Sequence, residues 1–373
     1  MSSPYTYLWI QDGVPVHRFL EQGPQPLEER LAPLAADPAR ASEDLVSACA
    51  RSVTEWLANE PSDASAELGP RLERGLAALE AAHGWRGPLA LFLDSLRGAF
   101  HAEESGLPCG ERLHKEARCW LDADETRPWN GEPLSAGRRL PRLDLLAEAA
   151  ASPLRAGDTL LVQGWTAAVE AALVLAAQRL ERLHELCTEG LPLLDGRRLA
   201  RRLADQPHLR IELTYDAALT DLCIEADRVW IASESLGASS VLARIGTARL
   251  AAECEAEDIP VDWLASASAL LPGGELAVPR LLADSLLWSN APGRVRLRTQ
   301  WLEELALPPR SRLCTDAGRE TFGDLATRAL RLECAPRCAP TQTNDWITPP
   351  AAPAMKSPAR WSDETSIPRR TIR

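Results

Sequence analysis

Lysine is almost missing from this 373-residue chain, which has only Lys115 and Lys356; arginine supplies nearly all of its basic charge. That bias follows GC-rich coding, seen also in the excess of Ala, Arg, Leu and Pro, and has no functional meaning here. Basic charge is in deficit as a whole: 41 Lys and Arg stand against 53 Asp and Glu, a formal net charge of −12. Neutralising nucleic-acid phosphates needs a basic face, so general nucleic-acid binding is not expected. No apolar run reaches the eighteen or so residues of a membrane span, and the opening MSSPYTYLWIQDG has no signal-peptide pattern. A cytoplasmic chain is therefore expected. Paired cysteine spacing is lacking too. The nine cysteines are scattered, and an odd, unpaired set in such a chain reads as reduced thiols. Cys334 and Cys338 have the spacing of half a metal site, but no second pair or histidine completes it, so no metal or other cofactor is expected.

What is present is a chain of ordinary globular composition, 45% apolar and 25% charged, long enough for more than one domain. Residues 1–23 suggest a short strand or hairpin. Residues 27–60 and 66–104 are helical in pattern: Leu45, Val46, Cys49, Val53, Trp56 and Leu57 recur at helical spacing. Leu89, Phe92, Leu93, Leu96 and Phe100 repeat it, with Pro61, Pro70 and Pro88 as punctuation. Residues 105–141 are rich in glycine, proline and charge. From Leu143 onward, apolar runs of about five residues alternate with helical patterns, which predicts parallel strands joined by crossover helices. Strands are expected near 159–163, 184–188, 209–214, 228–233, 261–266 and 294–299. The last 39 residues hold seven prolines and read as a disordered tail, with Trp346, Ile347 and Trp361 as short docking points.

The most informative stretch runs from Asp216 to Pro260. It reads as a helix, a buried strand (Arg228–Ser233), a small-residue loop, an Ile245-Gly246-Thr247 turn, a helix from Ala248 to Glu257 and a strand from Val261 to Ala265. Ligands of such sheets sit beyond the carboxyl ends of the strands, where Glu234 and Arg244 fall.

These elements resemble a family shared by the α, β and δ regulatory subunits of translation initiation factor 2B and by methylthioribose-1-phosphate isomerase. That family has a strand ending in Gly-Ala-Asp, then Asn-Lys-Ile-Gly-Thr, a helix, and Gly-(Val/Ile)-Pro before the next strand. Here these become Ala232-Ser233-Glu234, Ala243-Arg244-Ile245-Gly246-Thr247 and Ile259-Pro260. Thr188-Glu189-Gly190-Leu191-Pro192, followed by Gly196-Arg-Arg-Leu-Ala200, resembles the Thr-Glu-Ser-Arg-Pro…Gly-Arg-Arg-Leu-Ala element. Gly157–Gln163 resembles the family's Gly-Asp-x-Ile-Leu-Thr-His strand. The similarity spans roughly residues 140 to 325.

The resemblance implies an α/β protein in which a mainly helical N-terminal domain (1–140) precedes a Rossmann-like parallel-sheet domain (141–333). That sheet domain would be of the ribose-5-phosphate isomerase/CoA-transferase-like type, and 334–373 would form the tail. It also implies a homodimer through the sheet domain, with Leu242, Ile245 and Leu250 as apolar contacts, and a phosphorylated sugar or nucleotide as ligand.

In the isomerases a cysteine and an aspartate handle the proton, while an arginine and backbone amides hold the phosphate. The cysteine's place falls here on Gly164, in Gln163-Gly164-Trp165-Thr166, and the aspartate's on Glu234. The phosphate arginine's place falls on Leu191, and Asn-Lys becomes Ala243-Arg244. A glycine cannot act as acid, base or nucleophile, and a leucine has no donor fork. The expected protein is thus a non-catalytic regulatory or assembly protein (a pseudoenzyme) with a sugar-phosphate or nucleotide pocket. The alternative is an aldose–ketose isomerase on a sugar 1-phosphate, with Glu234 as general base and Arg244 holding phosphate.

Glu234 is the candidate catalytic residue, and Gly164, Trp165, Thr166, Glu189 and Arg244 are the candidate ligand-binding residues. Each also has a purely structural role open to it. Glu234 can be satisfied by backbone amides, and Arg244 can pair with Glu234 across the crevice. Glu189 and Asp216 can be helix caps, and Trp165, Trp230 and Trp263 can be core anchors. Asp124-Glu-Thr-Arg-Pro128 imitates an isomerase phosphate motif but precedes the first sheet strand, in the wrong order for the family, and is set aside.

Overall fold

The computed structural model describes residues 9–11, 14–16, 25–37, 42–59, 65–102, 106–121, 143–271, 276, 284–306 and 311–329. A short antiparallel hairpin of β1 (Trp9–Gln11) and β2 (Val14–Val16) lies in the segment expected to hold one. Five helices follow: α1 (Leu27–Ala35), α2 (Ser42–Ala58), α3 (Ser65–His83), α4 (Gly87–His101) and α5 (Cys109–Cys119). Their apolar stripes meet in one core, where Leu45, Val53, Trp56, Leu72, Leu76, Phe92 and Leu96 are buried. Arg97, itself buried, bridges Glu73 at 3.0 Å and Glu80 at 3.1 Å and so ties α4 to α3. The α5 helix lies in the segment rich in glycine, proline and charge: Leu113 and Ala117 share one face at i and i+4 and bury fully.

The second region begins at α6 (Leu143–Ala151). Its strands are β3 (Thr159–Gln163), β4 (Leu183–Thr188), β5 (Leu209–Thr214) and β6 (Arg228–Ala232), with α7 (Ala167–Arg179), α8 (Asp195–Leu203) and α9 (Leu219–Cys223) as connections. After β6 come β7 (Ser235–Leu236), β8 (Ser240–Arg244), α10 (Thr247–Ala256) and β9 (Val261–Leu264). The last elements are β10 (Leu302–Ala306), β11 (Arg312–Thr315), β12 (Gly318–Glu320) and α11 (Phe322–Ala329).

Seven strands form one sheet in the order β12-β11-β9-β6-β3-β4-β5, parallel except for the closing β11–β12 hairpin. One apolar layer packs α6, α7 and α8 on one face, through Leu146, Val169, Leu173 and Leu199. A second layer packs α9, α10 and α11 on the other, through Leu219, Leu250, Trp263 and Leu325. This is the expected fold: a helical N-terminal region, then a mostly parallel sheet with helices on both faces.

Three local expectations are corrected. The small-residue loop after β6 is a hairpin: β7 and β8 pair antiparallel, closed by Gly237 N donating to Ser240 O at 2.9 Å. Val241, Leu242 and Ala243 bury, which gives the hairpin an apolar face despite its serines. The strand expected at 294–299 does not form. Arg294-Val-Arg-Leu-Arg-Thr alternates as a half-buried strand should, yet no described strand pairs with it and Val295 is exposed. The strand nearby is β10, antiparallel to β8 in a separate three-stranded sheet. Finally, Leu242 and Leu250 are not free for a partner: both are buried within the chain, and only Ile245 of that trio is exposed.

The helical region and the sheet meet at β7. Ser235 accepts from Gly87 N at 2.9 Å and donates to the Trp85 carbonyl, so its one hydroxyl satisfies both groups at the start of α4. Cys334, Cys338, the 124–128 motif, and Trp346, Ile347 and Trp361 of the tail lie outside the described residues.

Candidate functional site

The chain runs from β3 outward through β4 to β5, then returns to the other side of β3 with β6. Carboxyl ends on either side of such a reversal splay apart and leave a crevice. A cavity of about 120 Å³ lies there. Gln163, Gly164, Thr188, Asp195, Asp216 and Arg244 are among its lining residues.

Gly164 directly follows β3 with φ +82°, a conformation that L side chains rarely adopt. A Cβ there would stand 3.2 Å from Ala232 Cβ and 3.3 Å from Arg244 Cγ. The N-terminus of α8 approaches even more closely, since a Cβ on Gly196 would sit 1.7 Å from Thr188 O. The cavity floor is therefore backbone, drawn tight by glycine.

Arg244, at the end of β8, is the organising cation. Its guanidinium stacks on Trp301 with 4.1 Å to the ring centroid, and Nη2 bonds Glu234 Oε1 at 3.1 Å and also Asp195 Oδ2. Nη1 is buried without a hydrogen-bond partner and is a spare donor beside the cavity. Glu234 passes its other oxygen to the Ser42 hydroxyl at 3.2 Å, so a residue of α2 completes this network. Burial pushes the Asp195 carboxyl up, while Arg244 pulls it down and Glu234 raises it again.

The candidate residues separate into two sets. Gly164 and Arg244 line the cavity, as does Leu191 at the phosphate arginine's place. Glu234 stands behind Arg244, away from the lining, and is held by side chains rather than by the backbone amides considered for it. Glu189 is not a cap but pairs with Arg197. Asp216 does not cap either: its two oxygens accept from Gly190 N and Leu191 N, both at 2.8 Å, and so occupy the backbone donors at the mouth.

Trp165 and Thr166 are not among the cavity-lining residues. Thr166 caps α7 by accepting from Val169 N at 3.4 Å. Trp165 donates to Glu170 at 3.1 Å and carries Arg198 and Arg202 over its ring, in a separate hollow. Trp230 and Trp263 are fully buried.

Sequence reasoning missed Asp195, Ser42 and Trp301. The acid of Leu194-Asp195-Gly196 at a helix start has the pattern of an ordinary first-turn charge. Ser42 and Trp301 come from distant elements that no local spacing connects to Glu234. Among the described residues no cluster of three His, Cys, Asp or Glu could hold a metal, and no helix is long and apolar enough to cross a membrane.

A two-faced parallel sheet with a switch-point cavity defines the class. Residues 141–271 match the family model for the initiation factor 2 subunit family. By structure it is similar to the translation initiation factor eIF-2B of Pyrococcus horikoshii OT3 (TM-score 0.63, 18% identity, covering 80% of this chain and 98% of that one). The 5-methylthioribose 1-phosphate isomerase of the same organism follows, with TM-score 0.59, 16% identity and coverage of 82% and 88%. The eIF-2B subunit delta of A. fulgidus gives 0.57, 18%, 82% and 91%. At these identities the likeness is one of fold. No curated protein matches the sequence.

Proposed function

We propose that this chain is a non-catalytic regulatory or assembly protein of the initiation-factor-2B type, cytoplasmic and homodimeric, with a helical domain over 1–140 and a sheet domain over 141–333. The observation that carries this reading is the engagement of Glu234. Both carboxylate oxygens are taken, by Ser42 and Arg244, and the group stands off the cavity lining. A general base must come within hydrogen-bond reach of the proton it removes. Gly164 and Leu191 supply neither the acid–base thiol nor the phosphate fork of the isomerases. The isomerase alternative, with Glu234 as base, requires breaking the Arg244 pair before each turnover.

A pocket remains for a small ligand bearing a hydrogen-bond acceptor, because Arg244 Nη1 is unsatisfied. A phosphorylated sugar or nucleotide has such acceptors, but Asp195, Asp216 and Glu234 make the surroundings acidic, which limits how much phosphate charge the site accepts. The test is turnover of methylthioribose 1-phosphate by purified protein, beside binding of ribose 5-phosphate and of AMP by calorimetry. Binding without turnover is the expected result. Turnover abolished by Glu234→Gln overturns the reading.

A further inference from the structure

We propose that Cys223 and Cys254 are a redox pair that closes to an intrachain disulfide, a modification site stapling α9 to α10. Their Sγ atoms are 2.9 Å apart, and both residues are fully buried. The two residues are 31 positions apart in sequence, and β6, β7 and β8 lie between them, so the pair is made by the fold and not by local spacing. Cys187 and Cys314, by contrast, sit on the sheet strands β4 and β11.

Cys223 is the partner that local opening reaches first. It ends the five-residue α9, and the next residue, Ile224, is exposed, so loosening one short helix uncovers the thiol. Cys254 lies in the last turn of the ten-residue α10. Burial raises both thiols, and the hydrogen bond from Cys254 favours the thiolate of Cys223.

The oxidant is a low-molecular-weight disulfide. The Cys223 thiolate attacks one of its sulfurs and releases one small thiolate, which takes up the Cys223 proton. The Cys254 thiolate then attacks Cys223 Sγ and releases the second, which takes up the Cys254 proton. Two electrons pass from the pair to the oxidant, and one bond forms for each that breaks. The staple reaches the cavity through its helices: Leu219 on α9 and Gly246, which precedes α10, both line it. Oxidation therefore couples to the mobility of one cavity wall.

The folded protein is incubated with oxidised glutathione, alkylated, and digested with trypsin without reduction. Tryptic peptides 211–228 and 250–280 each hold a single cysteine, so the link has a unique mass. The expected result is that linked mass, with a thiol count in denaturant lower by two of the nine. The melting temperature should rise by roughly 5 °C, because the cross-link constrains the unfolded chain. Cys223→Ser and Cys254→Ser should each abolish the linked mass, and the wild-type readout stands even where a variant folds poorly. Full alkylation of both thiols after oxidation, or a link that forms only in urea, overturns the proposal.

Discussion

Arg244 Nη2 lies 3.1 Å from Glu234 Oε1, and the same nitrogen also meets Asp195. One cation thus answers two buried acids. Removing it takes the bonded cation from both carboxylates and leaves Asp195 with only the weaker influence of Arg198 and Arg86. Arg244→Met should therefore lower unfolding stability by about 3–5 kcal/mol. Glu234→Gln keeps an acceptor for Ser42 and leaves Asp195 as the counter-ion, so about 1–2 kcal/mol is expected. Urea denaturation of both variants checks this order. An Arg244→Met protein within about 1 kcal/mol of wild type, on the scale of a surface pair, would show that the network is solvated.

Restoring a thiol at the end of β3 should not restore chemistry. Gly164 has φ +82°, and an added Cβ meets Ala232 and Arg244 at 3.2 and 3.3 Å. Gly164→Cys should destabilise by about 1–3 kcal/mol, and turnover of methylthioribose 1-phosphate should stay undetectable in wild type and variant alike. Coupled assay of product formation checks the second point, and thermal melts check the first.

Much of the sheet was legible because buried parallel strands are continuous apolar runs and their crossovers are amphipathic; β3, β4, β5, β6 and β9 all fall within a residue or two of their expected places. The strands that were missed follow other rules. The β8 strand begins in a serine-rich segment that carries little strand propensity, and gains its buried face only by pairing with β10 some sixty residues later. The reverse error, at 294–299, came from an alternating pattern that pairs with no described strand. In the site, Gly164, Leu191 and Arg244 were legible from motif positions. The tie from Ser42 to Glu234 spans 192 residues, and no period in the sequence encodes a contact of that kind. The same is true of Trp301 beneath Arg244.

A dimer is expected through the cavity mouth rather than through α10. Leu191, Leu213, Tyr215 and Ile245 are exposed there, and Tyr215 is 74% accessible. Leu191 and Ile245 line the mouth itself, while Leu213 and Tyr215 lead into Asp216 on the same rim. Clustered apolar groups of this size usually mark contacts. Sedimentation at micromolar concentration should give about twice the 40.7 kDa chain mass. The double change Tyr215→Ser and Ile245→Asp should shift it to monomer without lowering the melting temperature of the fold. A wild-type monomer at that concentration rules this interface out.

Glu185 contributes a loss of stability as pH rises from 4.5 to 7, opposed by buried His83, whose pKa is lowered to about 4 and which adds stability as pH rises toward 6.5. Glu185 sits in the middle of β4, fully buried, and neither carboxylate oxygen has a partner of hydrogen-bond geometry. Desolvation lifts its pKa from 4.5 to about 7, with the Cys187 thiol as the one polar side chain acting on it. Between those values the folded chain keeps a proton that the unfolded chain has released, so each step up in pH favours unfolding. Below the lower value both states are protonated, and above the upper one neither is, so the change is confined to that window. The Glu185 contribution across it is about 3 kcal/mol, because a proton affinity that differs tenfold between folded and unfolded chain is worth about 1.4 kcal/mol. Glu185→Gln carries no titratable proton, so relative to wild type the variant should gain stability with rising pH across this window and be the more stable of the two at pH 8. Denaturation curves for both proteins at pH 4.5, 6 and 8 decide it. Parallel profiles for wild type and variant would assign the pH dependence to other groups.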